Sequence, residues 1–387
     1  MKKQSNTPEI RFQNYEDKWD IEKLINIFAT IRNAFVGTAT PYYVENGNFY
    51  LESNNVKNGK INYNSQIFIN DEFYEKQRDK WLKTNDIVMV QSGHVGHTAV
   101  IPEELNNTAA HALIVFTDYK KEVNPHFLNY QFQSNGKRKK LDLISTGNTI
   151  KHILASEMKD FKMDFPTFEE QTAIGNLFCT LDDLLSSYKD NLANYQSFKA
   201  TMLSKMFPKT GQTVPEIRLN GFEEDWERKS LSEVCTINSG RDYKHLKNGD
   251  IPVYGTGGYM LSVNEKLSDE DAIGIGRKGT IDKPYLLSAP FWTVDTLFYV
   301  ICKVGYDLNY LFLIFQKIRW KKFDESTGVP SLSKKTIEKV VSKFPSYEEQ
   351  CAIGLYFSDL DNLINYYQEK ISQLETLKKK LLQDMFT

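Results

Sequence analysis

Two stretches of the chain carry apolar residues at helical spacing over an unusual length. The first stripe runs through Leu177, Leu181, Leu184, Tyr188, Leu192, Tyr195, Phe198 and Met202. The second runs through Tyr356, Leu360, Leu363, Tyr367, Ile371, Leu374, Leu377 and Leu381. Recurrence at every third and fourth position predicts an amphipathic helix in each place. Both stripes follow a start signal, Thr167-x-x-Glu170 and Ser346-x-x-Glu349. These read as capping boxes, in which hydroxyl and carboxylate satisfy the free amides of the first turn. Each helix should span about 40 residues, or roughly 60 Å. An amphipathic helix of that length needs a partner stripe, and its twin supplies one. A pseudo-two-fold relation would set the two helices antiparallel and hold a globular domain at each end.

Ahead of each helix, at about 20–150 and about 227–335, lies a stretch rich in β-branched and aromatic residues, broken by Gly, Asn and Asp. The two stretches differ greatly, but their surroundings repeat. Thr7-Pro8-Glu9-Ile10-Arg11-Phe12, followed by Trp19 and Leu24, recurs as Val214-Pro215-Glu216-Ile217-Arg218-Leu219, followed by Trp226 and Leu231. Phe165-Pro166-Thr167-Phe168-Glu169-Glu170-Gln171-Thr172-Ala173-Ile174-Gly175 recurs as Phe344-Pro345-Ser346-Tyr347-Glu348-Glu349-Gln350-Cys351-Ala352-Ile353-Gly354. Ser145-Thr146-Gly147 and Ser326-Thr327-Gly328 precede these landmarks in the same order. The chain is a tandem duplication. The expected fold class is α+β: two similar α/β domains separated by two long antiparallel helices in a coiled coil, with an internal pseudo-two-fold repeat. The expected divisions are 1–164, 165–208, 209–343 and 344–387.

Composition narrows the picture. A chain of 387 residues with 41% hydrophobic and 25% charged positions can bury two cores. Cys179, Cys235, Cys302 and Cys351 share no CxxC spacing, which argues against a zinc site or a disulfide framework and suits a reducing cytoplasm. The polar start, Met1 to Gln13, has no apolar leader core, and no apolar run is long enough for a membrane span, so the expectation is a cytoplasmic protein with no membrane partner. A net charge of −2 is not that of a protein that coats nucleic acid, so any phosphate grip must come from a local basic face.

Such faces stand at matching places. Lys137, Arg138, Lys139 and Lys140 lie upstream of Ser145 and Thr146. Lys317, Arg319, Lys321 and Lys322 lie upstream of Ser326 and Thr327, with Lys334 and Lys335 beyond. A charge run is usually a solvated helix face, but its recurrence in both copies favours phosphate contacts. Ser92-Gly93-His94-Val95-Gly96-His97 and Gly274-Ile275-Gly276-Arg277-Lys278-Gly279 each follow an apolar run and read as one repeated loop. Glycine lets backbone amides approach a phosphate, and Arg277 or Lys278 can reach a phosphate or a guanine edge; a tight turn with solvated charges is the alternative. Early polar and aromatic positions add weaker candidates for base edges: Thr38, Thr40, Tyr42, Tyr43, Asn54 and Asn55, then Arg241, Tyr243, Lys244, His245, Tyr254, Thr256 and Tyr259.

Two similar domains on a rigid spacer suit a long target touched at two places, and a DNA duplex is such a target. The chain resembles the specificity subunits of type I restriction–modification enzymes. The resemblance rests on Pro-Glu-Ile-Arg-Phe…Trp at 8–19 and its copy at 215–226, on the Phe-Pro-x-[Phe/Tyr]-Glu-Glu-Gln-x-Ala-Ile-Gly helix starts, and on the helix ends Leu203-Ser204-Lys205-Met206-Phe207-Pro208 and Leu382-Gln383-Asp384-Met385-Phe386. It covers essentially the whole chain. It implies two target-recognition domains that read an asymmetric split site in double-stranded DNA. It also implies no cofactor and no chemistry of the subunit's own, with two S-adenosylmethionine-dependent methyltransferase subunits and, through them, restriction subunits as partners.

The search for an active site is short. Gly274–Gly279 matches the dinucleotide pattern GxGxxG, but that loop must open a helix, and Thr280-Ile281-Asp282-Lys283-Pro284 reads as strand and then a break. Asn124-Pro125-His126-Phe127 resembles the Asn-Pro-Pro-[Tyr/Phe] motif of amino-methyltransferases with His126 out of pattern, and it reads as a helix start. His94 and His97 lack a third ligand placed by sequence. The remaining alternatives are a coiled-coil interaction protein and a diverged methyltransferase or nuclease.

Overall fold

The computed structural model describes residues 8–147 and 151–386; Thr7, which opens the first repeat motif, lies outside them. The chain divides into two compact units. One comprises the described residues of Met1–Lys189 together with Lys370–Thr387, and the other is Asp190–Glu369. Each is α+β; the strand pair, the four-stranded antiparallel sheet and the long helix correspond, while the smaller sheets differ.

In the first unit a two-stranded antiparallel pair, Asp20–Lys23 with Lys162–Phe165, closes the domain at the root of the first long helix. Beyond it lies an antiparallel sheet in the spatial order Phe28–Asn33, Leu113–Tyr119, Ile87–Val90, Thr98–Val100. A smaller sheet, Ala109–Ala110, Asn48–Leu51, Ile67–Ile69 and Tyr43–Val44, completes the domain. The second unit repeats the plan. Glu227–Ser230 pairs with Val341–Phe344, and the antiparallel sheet runs Cys235–Ser239, Leu297–Cys302, Ala272–Gly276, Tyr285–Leu287. Its smaller sheet has three strands, Gly258–Val263, Asn248–Gly255 and Trp292–Thr293.

The long helices are Phe168–Lys205 and Tyr347–Asp384. Their starts show what the repeated motif does. The Thr167 hydroxyl accepts the Glu170 amide at 3.4 Å, and the Ser346 hydroxyl accepts the Glu349 amide at 3.3 Å, as a capping box requires. The carboxylate half of each box is diverted. Glu170, buried, takes a two-pronged hydrogen bond from Arg11 at 2.7 and 2.7 Å, and Glu349 takes the same from Arg218 at 2.8 and 2.7 Å. A charge removed from water is better compensated by a forked guanidinium than by one amide. Gln171 accepts the Asn124 amide and donates to the Pro166 carbonyl; Gln350 does the same to Asp307 and Pro345. Asn124 and Asp307 cap the helices Pro125–Gln133 and Leu308–Lys317. Gly175 sits so close to the first of these caps that a methyl group would come within 2.7 Å of the Asn124 side-chain oxygen, and Gly354 is as crowded against Asp307. The motif is therefore a seat in which a helix start, a cap and an arginine lock together. Asn124-Pro125-His126-Phe127 is the start of a capped helix, as its sequence suggests.

The stripe is offset from the sequence reading at two turns of the first helix and one of the second. Leu184, Phe198 and Leu377 are exposed, while Leu185, Lys199 and Lys378 face inward. The reason is a pair of matched ion pairs. In the first unit Lys378 reaches Asp182 at 2.5 Å and Lys189 reaches Glu375; in the second, Lys199 reaches Asp361 at 2.5 Å and Tyr195 stacks on Tyr367. Within each unit, then, the two helical stretches run antiparallel, and each helix finds its partner in its twin.

The helix ends are core residues. Met385 and Phe386 enter the core of the first unit, where Phe386 meets Trp19, Phe127 and Phe178 at ring-centroid distances of 6.4, 5.6 and 5.8 Å. Met206 and Phe207 enter the core of the second, where Phe207 meets Trp226, Tyr310 and Phe357 at 5.8, 5.6 and 6.4 Å.

Replacing Arg11 by Ala leaves the buried Glu170 carboxylate without its counter-charge. We expect a loss of about 3–5 kcal/mol in the unfolding of the first unit by denaturant, with the second unit's transition unmoved. A loss below about 1 kcal/mol would refute the role assigned to the pair.

Candidate nucleic-acid interface

The repeated loop and the Ser-Thr-Gly landmark are far apart in sequence and meet in space. In the first unit residues 91–97 join Ile87–Val90 to Thr98–Val100. The Gly93 amide donates to the Lys151 carbonyl at 3.1 Å, the Ile153 amide to Gln91 at 2.9 Å, and His152 bridges both Ser92 and Thr146. Gly93 and Gly96 have φ of 78° and 77°, a left-handed backbone that explains glycine at both places. In the second unit the Gly279 amide donates to Pro330 at 2.8 Å, Leu332 donates to Arg277 at 2.9 Å, and Lys278 bridges Ser331. Gly279 also has positive φ, at 90°. Gly276 differs from Gly93: it ends a buried strand, and a side chain there would strike the Thr280 carbonyl. The chain then runs through turns to a strand that begins at Tyr285, later than the sequence suggests, and no helix follows the GxGxxG match.

Arg277, Lys278 and Lys334 converge on one pocket of about 360 Å³, with Ser239, Ser331 and Ser333 in its wall. The Arg277 guanidinium lies over the Phe298 ring, 6.0 Å from its centre, and donates to the Asp295 carbonyl, which aims a flexible side chain. Ser326 and Ser331 are held by the Asp324 carboxylate, so Thr327 is presented at an exposed loop. Arg319 and Lys322 are exposed, whereas Lys321 is engaged with Asp282 at 2.8 Å. Lys317 donates to the Leu203 carbonyl and covers the Phe207 ring, so it serves the helix end.

The basic run of the first unit divides. Lys139 and Lys140 are exposed on the helix Asn135–Ile144. Lys137 is a correction to the sequence reading: it is fully buried, donating to the Lys162 carbonyl and paired with Asp164 at 2.6 Å, and cannot reach a phosphate. Arg138 is partly buried against His97, 3.5 Å from Nδ1, and burial lowers its pKa. Ser145 closes the helix by donating to the Asp142 carbonyl. His94 is exposed beside Gly93.

Among the weaker candidates, Asn55 is corrected: it is buried and ties the 52–65 loop together through Glu52, Asn62 and Ser65. Tyr43 donates to Glu52, whose carboxylate also meets His111; burial and that hydrogen bond push the phenol up to about 12. Thr38 is exposed next to Gly37. Arg241 and Lys244 are exposed, Tyr243 packs on the small core under Trp292, and Tyr254 packs with Tyr259 and Tyr285. Thr256 lies beside Gly279, so this hairpin borders the Arg277 loop. Sequence reasoning missed Ser239, Ser331 and Ser333. It also missed a groove of about 670 Å³ lined by Lys57, Lys60, Arg138, Lys189, Lys378 and Lys379. Asn58-Gly59, with φ of 51° and 85°, was a readable hairpin signal between two of those lysines.

The architecture is that of a two-unit protein in which one polar loop cluster occurs in two variants. A sequence profile described as the type I restriction modification DNA specificity domain matches residues 9–194 and 223–376. The chain belongs to that family of type I restriction–modification specificity subunits. It is 21% identical over its whole length, and over 96% of the relative, to a putative type I restriction enzyme MjaX specificity subunit of Methanocaldococcus jannaschii. A second specificity subunit of that organism, MjaVIII, is 23% identical over 62% of this chain; the match spans 65% of the relative, just under two thirds of its length. The fold is also that of a type I S subunit from M. genitalium in crystal form, with a TM-score of 0.71, 18% identity, and coverage of 98% of this chain and 99% of that one. Among the described residues, no helix is long and apolar enough to cross a membrane.

His97 bears on how the first loop is held. Burial, then the nearby Arg138, His94 and Lys57, push its imidazole down to about 4, and its Nδ1 accepts the Asn58 amide at 3.2 Å. Below the ordinary value of 6.5 the unfolded chain takes up a proton that the folded ring refuses until about 4. Stability contributed here is present at neutral pH and is lost as pH falls through that window. Denaturant midpoints between about pH 7 and 4.5 should therefore fall less steeply in His97→Asn than in the wild type. Parallel slopes would show that the ring titrates alike in the folded and the unfolded chain.

Proposed function

We propose that the chain reads an asymmetric, two-part sequence in double-stranded DNA, one half with each unit. On this reading it performs no chemistry and scaffolds two methyltransferase subunits and, through them, restriction subunits. The observation that carries the reading is the same loop-and-landmark cluster built twice on matching sheets with different side chains. His94, Lys139, Lys140 and Thr146 edge one, and Arg277, Lys278, Lys334 and Thr327 edge the other. Matching scaffolds with unlike reading edges are what two unlike half-sites require. Lysine ammonium groups would supply sequence-independent attraction, while the donor fork of Arg277 suits discrimination of a guanine edge. The divisions 1–164, 165–208, 209–343 and 344–387 serve on this reading as recognition domain, spacer, recognition domain and spacer.

Co-expression with the modification subunit encoded beside it, followed by mapping of methylated adenines, tests the reading. A split motif should appear, and exchanging residues 20–150 for those of another family member should change one half only. No methylation and no complex from a folded chain would sink the assignment in favour of an interaction protein. Within the assembled complex, Lys139→Gln with Lys140→Gln should weaken binding to all sequences alike. The dependence of log affinity on log salt should become shallower by about 1 for each phosphate that the variant no longer neutralises. An unchanged slope would remove these lysines from the interface.

A further inference from the structure

The second unit contains a cavity of about 480 Å³ between the segment that follows the first long helix, residues 208–213, and the strand pair Glu227–Ser230 with Val341–Phe344. Four cationic side chains line it, Lys209, Arg228, Lys317 and Lys343, and no Asp or Glu is among its described lining residues. Lys209 is neutralised by Glu216 at 3.1 Å. Among the described residues, no carboxylate pairs with the other three. Lys317 donates to the Leu203 carbonyl, and Lys343 donates to the carbonyls of Lys209 and Gln212. Arg228 is exposed and stands directly opposite Lys343 across the antiparallel pair, so the two charges share one face. Like charges in that position destabilise a strand pair.

The scaffold does not demand this arrangement. At the matching positions of the first unit stand Ile21 opposite Asp164, and Asp164 is paired with Lys137. The second unit has instead gathered uncompensated positive charge around a space large enough for a ligand, with backbone carbonyls fixing two of the ammonium groups and leaving a guanidinium to meet it. Two lysines held on carbonyls and one open fork form a preorganised receptor for a tetrahedral oxyanion.

We propose that this cavity binds a phosphate group, held by Arg228 with Lys343 and Lys317. The phosphate can be free in solution or part of a nucleic-acid backbone, and the chemistry of recognition is the same. The full-length chain should melt at a temperature higher by roughly 2–5 °C in saturating inorganic phosphate than in chloride of equal ionic strength. The gain should vanish in Arg228→Gln and persist in a control at the exposed Lys266, Lys266→Gln. In chloride alone Arg228→Gln should melt at or slightly above the wild-type temperature, because a repulsion has been removed. A parallel titration with a short duplex of arbitrary sequence distinguishes the sources. An Arg228-dependent gain with inorganic phosphate assigns a free anion, and one seen only with the duplex assigns a backbone phosphate; either supports the proposal. It is overturned if neither probe raises the melting temperature, if Arg228→Gln retains the gain, or if that variant melts well below the wild type in chloride, which would mark Arg228 as structural.

Discussion

Each unit is organised around one buried carboxylate at the root of a long helix. Glu170 and Glu349 lie where no water can solvate them, and each is held by a guanidinium from the segment that precedes its domain. A buried charge tolerates its surroundings only when paired in good geometry. That demand fixes three things together: where the helix starts, where the chain enters the unit, and how closely the capped helix at Asn124 or Asp307 can approach. The glycine five residues along the helix permits the approach, and the glutamine between them satisfies the backbone on both sides. The strand pair and the aromatic core then assemble on a frame already set.

Most of this frame was legible in the sequence because it is repeated. The duplication exposed the helix starts, the caps and the landmark tripeptides, and periodicity alone located both long helices. What the sequence obscured is physical. The box carboxylates looked like partners for an amide because a local rule sees only neighbours, whereas their arginines arrive from far upstream. Leu184, Phe198 and Leu377 looked like seam residues because leucine and phenylalanine usually are; the seam admits Lys199 and Lys378 instead because Asp361 and Asp182 neutralise them. Lys137 looked solvated for the converse reason, since a charge run gives no sign that one member turns inward to Asp164. The candidate interface was legible in its parts only. Glycine loops and Ser-Thr-Gly landmarks were visible separately, but their meeting depends on a sheet topology that brings residue 93 to residue 151 and residue 279 to residue 330.

The net charge of −2 proves a poor guide to local electrostatics. Several basic residues are spent on carboxylates that are buried or half-buried, at Arg11, Arg218, Lys137, Lys199 and Lys378. Exposed basic side chains stand beside the repeated loops, and one recess, with Arg228, Lys317 and Lys343, has no carboxylate among its described lining residues. A protein can thus be acidic in sum and positive where it meets a target, which limits indiscriminate adhesion to nucleic acid while leaving chosen edges attractive.

The placement of Phe386 has a consequence for biosynthesis. The first unit closes its core on Phe386 against Trp19, so its completion requires a loop closure that spans the whole of the second unit. The second unit draws every one of its core residues from a stretch that ends earlier. The unit enclosed by that loop can therefore complete its core without the residues that the other awaits. The enclosing unit must wait for residues translated after those of the second, and until they arrive its aromatic core is incomplete, the kind of exposed apolar surface that makes a folding intermediate prone to aggregate.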